Sequence, residues 1–361
     1  MSALIFKRLF LCAVTHSLLA QEGDLSSRVA LLETQMSEVS TTTAHGNIGA
    51  KTASAYPQFV GENWFFTGDM LWWHADVGGT DYAVLYDGFP ETTKADGENR
   101  KLNFKWNFGF KAGIGTLFNH DKWDLALYFT WFRTTNSAVS SLHDGKLLVP
   151  LLGAEFPELT SEVTFAASQV KSHWTIHFYT WDLDLGRHFF VSKRLAFHPY
   201  VGVKVALIDQ HMRTRSELFL PYVTSLGTKI KNDFWGFGPM LGAEAKWFWG
   251  THFNLFGSAA GSLMWGEFFI RQKQDLKKSL LDSLELTVHE VVPAAQFQLG
   301  FGYETNIHRD RYHIAANIRY EEQIWWDQNQ MPYFPVGTFK YKRFSEDLTL
   351  QGITVDVRFD F

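Results

Sequence analysis

Three sets of residues in this chain could carry chemistry. The first is GFKAGIG, residues 109–115, whose glycines and Lys111 have the composition of a phosphate-cradling loop. Such a loop needs a helix after it, so that backbone N–H groups converge on the anion. Here it lies inside KLNFKWNFGFKAGIG, residues 101–115. Leu102, Phe104, Trp106, Phe108, Phe110, Ala112 and Ile114 alternate there with polar or side-chain-free positions, the signature of a strand. The glycines therefore read as clearance for the side chains of neighbouring strands. The second set, His173 and His177, shares a strand face, but the two lie about 13 Å apart at strand rise, too far to chelate one metal.

The third set is a series of charges on the polar faces of alternating segments: Lys101, Lys105, Lys111, Asp124, Lys204, Glu290, Glu304, Arg319 and Glu321. No Ser/His/Asp set or carboxylate pair can be assembled from their spacing. No catalytic residue, cofactor or metal is expected. A protease with Asp and His on loops is the residual enzymatic alternative. The chemistry left to the charges is that of a mixed wall, setting a transverse field through which small polar solutes pass. The competing reading is a salt-bridged plug.

The elements that position these charges are alternating segments at roughly 63–75, 101–116, 122–135, 172–190, 194–211, 232–250, 252–270, 287–304, 311–326 and 347–361. Most are far longer than the usual strand of about 5–6 residues. The connections alternate in length. Residues 76–100, 136–171, 212–231 and 327–346 are long, 271–286 is intermediate, and those at 118–121, 191–193, 250–251 and 305–310 are short. Long loops on one side and tight turns on the other is the pattern of a transmembrane antiparallel up-and-down β-barrel. Ten strands place both chain ends on the turn side, the periplasm of a bacterial outer membrane. Ser161–Ala167 could add a further strand, which keeps twelve as an alternative.

The greasy faces are too bulky for a barrel interior. Trp123, Leu125, Leu127, Phe129 and Trp131 share one face; Val291, Ala295, Phe297, Leu299, Phe301 and Tyr303 share another. They are expected to meet lipid. Trp72, Trp73, Trp131, Trp174, Trp235, Trp265, Trp325 and Trp326 fall at the outer ends of the predicted strands. Trp64, Trp123, Trp247 and Trp249 fall at the inner ends, as two aromatic girdles. The chain closes on ITVDVRFDF, and the terminal Phe361 resembles the signal read by the barrel assembly machinery. The last strand must pair with the first, since unpaired backbone is not tolerated in lipid.

The chain has 361 residues, 20% charged and 16% aromatic, with a formal net charge of −5; mean hydropathy is −0.14. No run of 18 apolar residues argues for a spanning helix, and the charge gives no footprint for nucleic acid. Residues 1–20 read as a secretory signal peptide, with Lys7 and Arg8 before LFLCAV and Ala20 at the cleavage point, although Leu18 occupies a position that prefers a small residue. The one cysteine, Cys12, lies within it, so the mature chain is expected to lack thiols and disulfides. As a lipidation site Cys12 lacks the small residue expected before it. Residues 21–40 carry a heptad seam of Leu25, Val29, Leu32, Met36 and Val39. It reads as a coiled coil joining a homo-trimer, or as an amphipathic helix on some other surface. Residues 41–62 are a linker and 63–361 the barrel.

WFFTGDMLWWHA, GFKAGIGTLF, KWDLALYFTWFRT and LTLQGITVDVRFDF resemble the Legionella-type major outer membrane proteins, including the related porins of environmental Chlamydiae. The resemblance implies a pore-forming outer-membrane protein with a structural role in the envelope. It says little about the solute. The lack of cysteine in the mature chain departs from the disulfide-linked porins of pathogenic Chlamydiae. The expectation is thus a porin, with a non-conducting adhesin or surface structural barrel as the alternative.

Overall fold

The computed structural model describes residues 63–87, 96–118, 123–143, 146–152, 166–192, 194–220, 224–309, 311–333, 342–343 and 345–361. Before these it describes only Ala30 and a short antiparallel ladder between Ser40–Thr42 and Ile48–Ala50. The signal peptide, with Cys12, and the heptad seam lie outside the described residues.

Period-2 alternation governs the rest of the chain. Ten long strands form: β1 (Trp64–Val77), β2 (Asn107–Leu117), β3 (Trp123–Ser141), β4 (Ala166–Arg187), β5 (Leu195–Leu220), β6 (Thr224–Trp249), β7 (Phe253–Leu276), β8 (Ser279–Ile307), β9 (Tyr312–Asn329) and β10 (Glu346–Asp360). Each pairs antiparallel with its sequence neighbours, and β10 pairs with β1 to close the ring. The seam is finished by a reciprocal pair of backbone hydrogen bonds between Trp64 and Phe361. Closure leaves no edge in the barrel wall. Ten strands, not twelve, make it: Ala166 and Ala167 belong to β4, and residues 161–165 lie outside the described residues.

The outward face carries the residues expected to meet lipid. Trp123, Leu127, Val201, Val291, Phe297, Leu299 and Phe301 are all exposed. An apolar belt of this extent on a single chain is a lipid-facing surface rather than scattered surface hydrophobes.

At the end of the barrel away from the chain termini, the strands run further than the sequence reading predicts. β5 and β6 continue through 212–220 and 224–231, and β7 joins β8 through Lys277 and Lys278, both left-handed with φ of 48° and 70°. Much of what reads as long loop is therefore barrel wall. These extensions keep period 2, with Met212, Thr214, Ser216 and Leu218 buried inside, but their outward positions are charged, so they lack a greasy stripe. At the same end Asp81–Asp87 pairs with Gly97–Lys101 and Lys146–Pro150 in a small sheet. This sheet packs Tyr82, Leu85 and Leu148 into the main buried cluster.

Candidate functional site: the barrel interior

Inward-facing positions divide the lumen into two layers. The layer nearer the chain termini is polar and charged. Arg319 on β9 donates to Asp69 on β1 and Asp356 on β10, and its Nε lies 3.4 Å from Glu321. Lys204 on β5 meets Asp182 on β4 at 2.6 Å. Lys246 on β6 bonds Glu304 on β8 at 2.8 Å, with Glu244 at 3.7 Å. Asp360 accepts from Arg358 at 2.8 Å and lies 2.8 Å from Nδ1 of His313. Charges taken this far from bulk water are tolerated because each has a partner of opposite sign. Between them remains a cavity of about 160 Å³, with Lys111, Tyr128, Asp184, Tyr200 and Glu244 in its wall.

The second layer, toward the far end, is apolar. Trp73, Phe132, Trp174, Phe178, Ile208, Phe268 and Leu350 are fully buried, although they point into the barrel. Side chains lining an open channel would be wetted; these fill it. Trp73 donates its indole N–H to Thr354 at 3.0 Å, where the two layers meet. Above them the last residues of β9 and the residue after it turn inward, burying Gln328, Asn329 and Gln330. The carbonyl of Gln328 accepts from Gln210 at 3.2 Å and from Asn232 at 3.0 Å, which ties this segment to β5 and β6.

Of the predicted wall residues, Lys111, Asp124, Lys204, Glu304, Arg319 and Glu321 face the interior of the charged layer, and Lys111 sits 4.8 Å above the Tyr128 ring. Glu290 also points inward, but at the far end, where it bonds Gln330 and Arg343. Lys101 and Lys105 are not in the wall. Strand β2 begins at Asn107; Lys101 belongs to the small sheet, 3.9 Å from Asp81, and Lys105 is exposed on the connecting segment. The alternation before Asn107 has a different cause, since Leu102 and Phe104 are buried in the apolar layer.

The tryptophan reading needs a similar correction. Trp64, Trp72, Trp123, Trp235, Trp247, Trp249, Trp265 and Trp326 point outward, but Trp73, Trp174 and Trp325 point inward. Trp72–Trp73 and Trp325–Trp326 are adjacent pairs on strands, so one member of each must face the lumen. That signal was available in the sequence.

Sequence reasoning missed the carboxylates of Asp182 and Asp184, and the partners Glu244, Lys246 and Arg358. The WDLDLG run of β4 carries the signal, because Asp182 and Asp184 share the inward parity of Thr180. It also missed that Asp124, His188 and His198 come together, with one ligand atom from each within 4.8 Å of the others. His198 Nε2 lies 3.0 Å from Asp124, but the two imidazoles stack at 3.7 Å and 3°. Parallel rings aim their nitrogen lone pairs along separate planes, so they do not converge on one ion. His173 and His177 remain on the outer wall of β4.

Residues 59–361 match the family model described as the Legionella pneumophila major outer membrane protein precursor. The chain belongs to that family. It is an outer-membrane β-barrel protein. No curated protein matches the sequence. Among solved structures, the outer membrane protease OmpT from Escherichia coli aligns over 85% of this chain and 99% of its own, with 9% identity and a TM-score of 0.44. Ail, the attachment invasion locus protein of Yersinia pestis, aligns over 67% and 98%, with 13% identity and a TM-score of 0.22. A Pseudomonas aeruginosa FadL homologue aligns over 84% and 91%, with 8% identity and a TM-score of 0.25. At such scores none of them bears on activity.

Proposed function

We propose that this barrel is a porin for small polar solutes, seen in a closed state, with a second, structural role in the envelope. The observation that carries the reading is the charged layer. Ionisable side chains at membrane depth are costly to keep, and a barrel that only needed filling could use apolar ones throughout. Here Asp69, Lys111, Asp182, Glu244, Lys246 and Arg319 line a polar cavity instead. The barrier above it is made of side chains and of segments that enter the lumen from outside the wall. It can therefore move without breaking the barrel's ladder.

In this reading a signal peptide delivers the chain, both termini lie in the periplasm, and the far end faces the medium. The assembly machinery engages Phe361, and the heptad seam of Leu25, Val29, Leu32, Met36 and Val39 holds three copies together.

The second reading is a non-conducting barrel that acts through its outer surface as an adhesin or structural protein. The fully buried apolar layer favours it. Planar-bilayer conductance separates the two when the intact protein is compared with a Phe178→Ala/Trp325→Ala variant, which thins that layer. Discrete openings that become larger or more frequent in the variant support the pore. Folded but silent barrels in both cases refute it.

A further inference from the structure

The extended wall of β3 to β8 carries an arrangement that the interior does not explain. The register of the ladders places His173 of β4 opposite Arg213 of β5, Arg213 opposite Lys229 of β6, and Lys229 opposite Lys273 of β7. One rung further out, Lys171 stands opposite Arg215. All six side chains point outward, because the alternate residues Ser172, Thr214, Thr228 and Gln274 are buried on the inner face. Like charges placed directly opposite in a ladder repel, and a sheet gains nothing by aligning the cations of Arg213, Lys229 and Lys273 in one row. Asp275 is the carboxylate that meets the row, 3.8 Å from Lys229.

The row lines an open hollow of about 710 Å³ on the outer wall, flanked by Val139 and Leu280, which are 57% and 67% exposed. Four adjacent strands span about 14 Å, the scale of a disaccharide carrying a phosphate at each end. The same faces of the same strands run down into the lipid-facing belt. Leu207 and Trp235 lie six residues below Arg213 and Lys229, roughly 15 Å along the membrane normal for a tilted strand. The basic row is thus continuous with the membrane surface, just above the hydrocarbon, and has apolar side chains at its margins.

We infer that this hollow binds the phosphorylated sugar headgroup of an outer-leaflet glycolipid, whose acyl chains lie along the belt below. The inference rests on the far end facing outward, as proposed above. Arg213, with its planar fork, is suited to a bidentate grip on a phosphate, and Lys229 and Lys273 serve as point charges beside it.

The test uses the full mature protein. Lysine acylation is mapped after reconstitution into phosphatidylcholine vesicles containing diphosphoryl lipid A, or phosphatidylglycerol at equal lipid charge. Selective protection of Lys229 and Lys273 by lipid A is expected. An Arg213→Gln/Lys229→Gln/Lys273→Gln variant should bind lipid A about a hundredfold more weakly, since each basic group near an anionic surface contributes about a factor of five. Heat-modifiable migration checks that the variant is folded; if it is not, the footprint of the unaltered protein decides alone. Three outcomes overturn the inference: no protection, equal protection by phosphatidylglycerol, or loss of protection when inorganic phosphate is added. Vesicles do not depend on orientation, which is read separately. An impermeant maleimide on intact cells labels Lys278→Cys if the far end faces out.

Discussion

The guanidinium of Arg319 crosses β10 to reach the carboxylate of Asp69, which lies 250 residues earlier in the chain. It joins β9, the second-last strand, to β1, with Asp356 of the intervening β10 held between. Replacing it by Met removes the guanidinium that pairs with the buried Asp69, Asp356 and Glu321. Arg319→Met is expected to cost about 3–5 kcal/mol. The urea midpoint of the detergent-folded barrel, followed by tryptophan fluorescence, should fall accordingly. A midpoint equal to that of the unaltered protein would show that the bond contributes nothing to closure.

Leu241 sits halfway between the outward tryptophans Trp235 and Trp247 of β6 and is 69% exposed. A charge there meets the middle of the hydrocarbon. Leu241→Arg should destabilise the barrel by about 2–4 kcal/mol. The same change at Lys231, on the same face but in the basic extension, should be nearly silent. Equal losses at both sites would contradict the position of the lipid belt.

A Cβ at Gly115 would collide with the ring of Phe65 on the neighbouring strand. That ring is buried and packs under Arg358, 3.7 Å from its centroid. Gly115→Val is expected to lower stability by about 1–3 kcal/mol through overpacking. Phe65→Ala in the same chain should recover part of the loss, giving a non-additive double-mutant cycle. Simple additivity would refute the contact.

Trp325 fills the apolar layer against Phe178, with ring centroids 5.5 Å apart. Trp325→Ala should cost about 3–5 kcal/mol as a cavity. Trp326→Ala, on the lipid face, should cost less. Thermal unfolding of both variants, monitored by near-UV circular dichroism, ranks them; the reverse order would place the wrong tryptophan inside.

The heptad proposal has its own measurement. Crosslinking of the mature protein should give trimers that disappear when residues 21–45 are deleted. Undiminished trimers would remove the seam from the assembly.

The barrel was legible because lipid imposes one rule on every strand: apolar out, polar in, period 2. Each of the ten predicted segments begins or ends within a few residues of a strand, and Asp124, Lys204, Arg319 and Glu321 lie on the predicted side. The rule fails where the solvent on either face changes. At the far end the interior is apolar and the exterior wet, so Leu102, Phe104, Trp73 and Trp174 obey the soluble convention, and the lipid convention misplaces them. Lys101 and Lys105 were misassigned for the same reason, since the alternation persists across the boundary at Asn107 while the backbone leaves the ladder. The ion pairs were not legible at all. Parity says that Lys204 and Asp182 both face inward, but only the register of β4 against β5 makes them direct partners.

The backbone bonds between Trp64 and Phe361 also constrain the order of events in assembly. Trp64 opens β1 and pairs with Phe361, about 300 residues later, so the ring cannot be sealed until Phe361 has arrived. Until then every copy carries two open strand edges and an uncovered apolar belt. The lifetime of that open form sets how much of the protein is lost to aggregation.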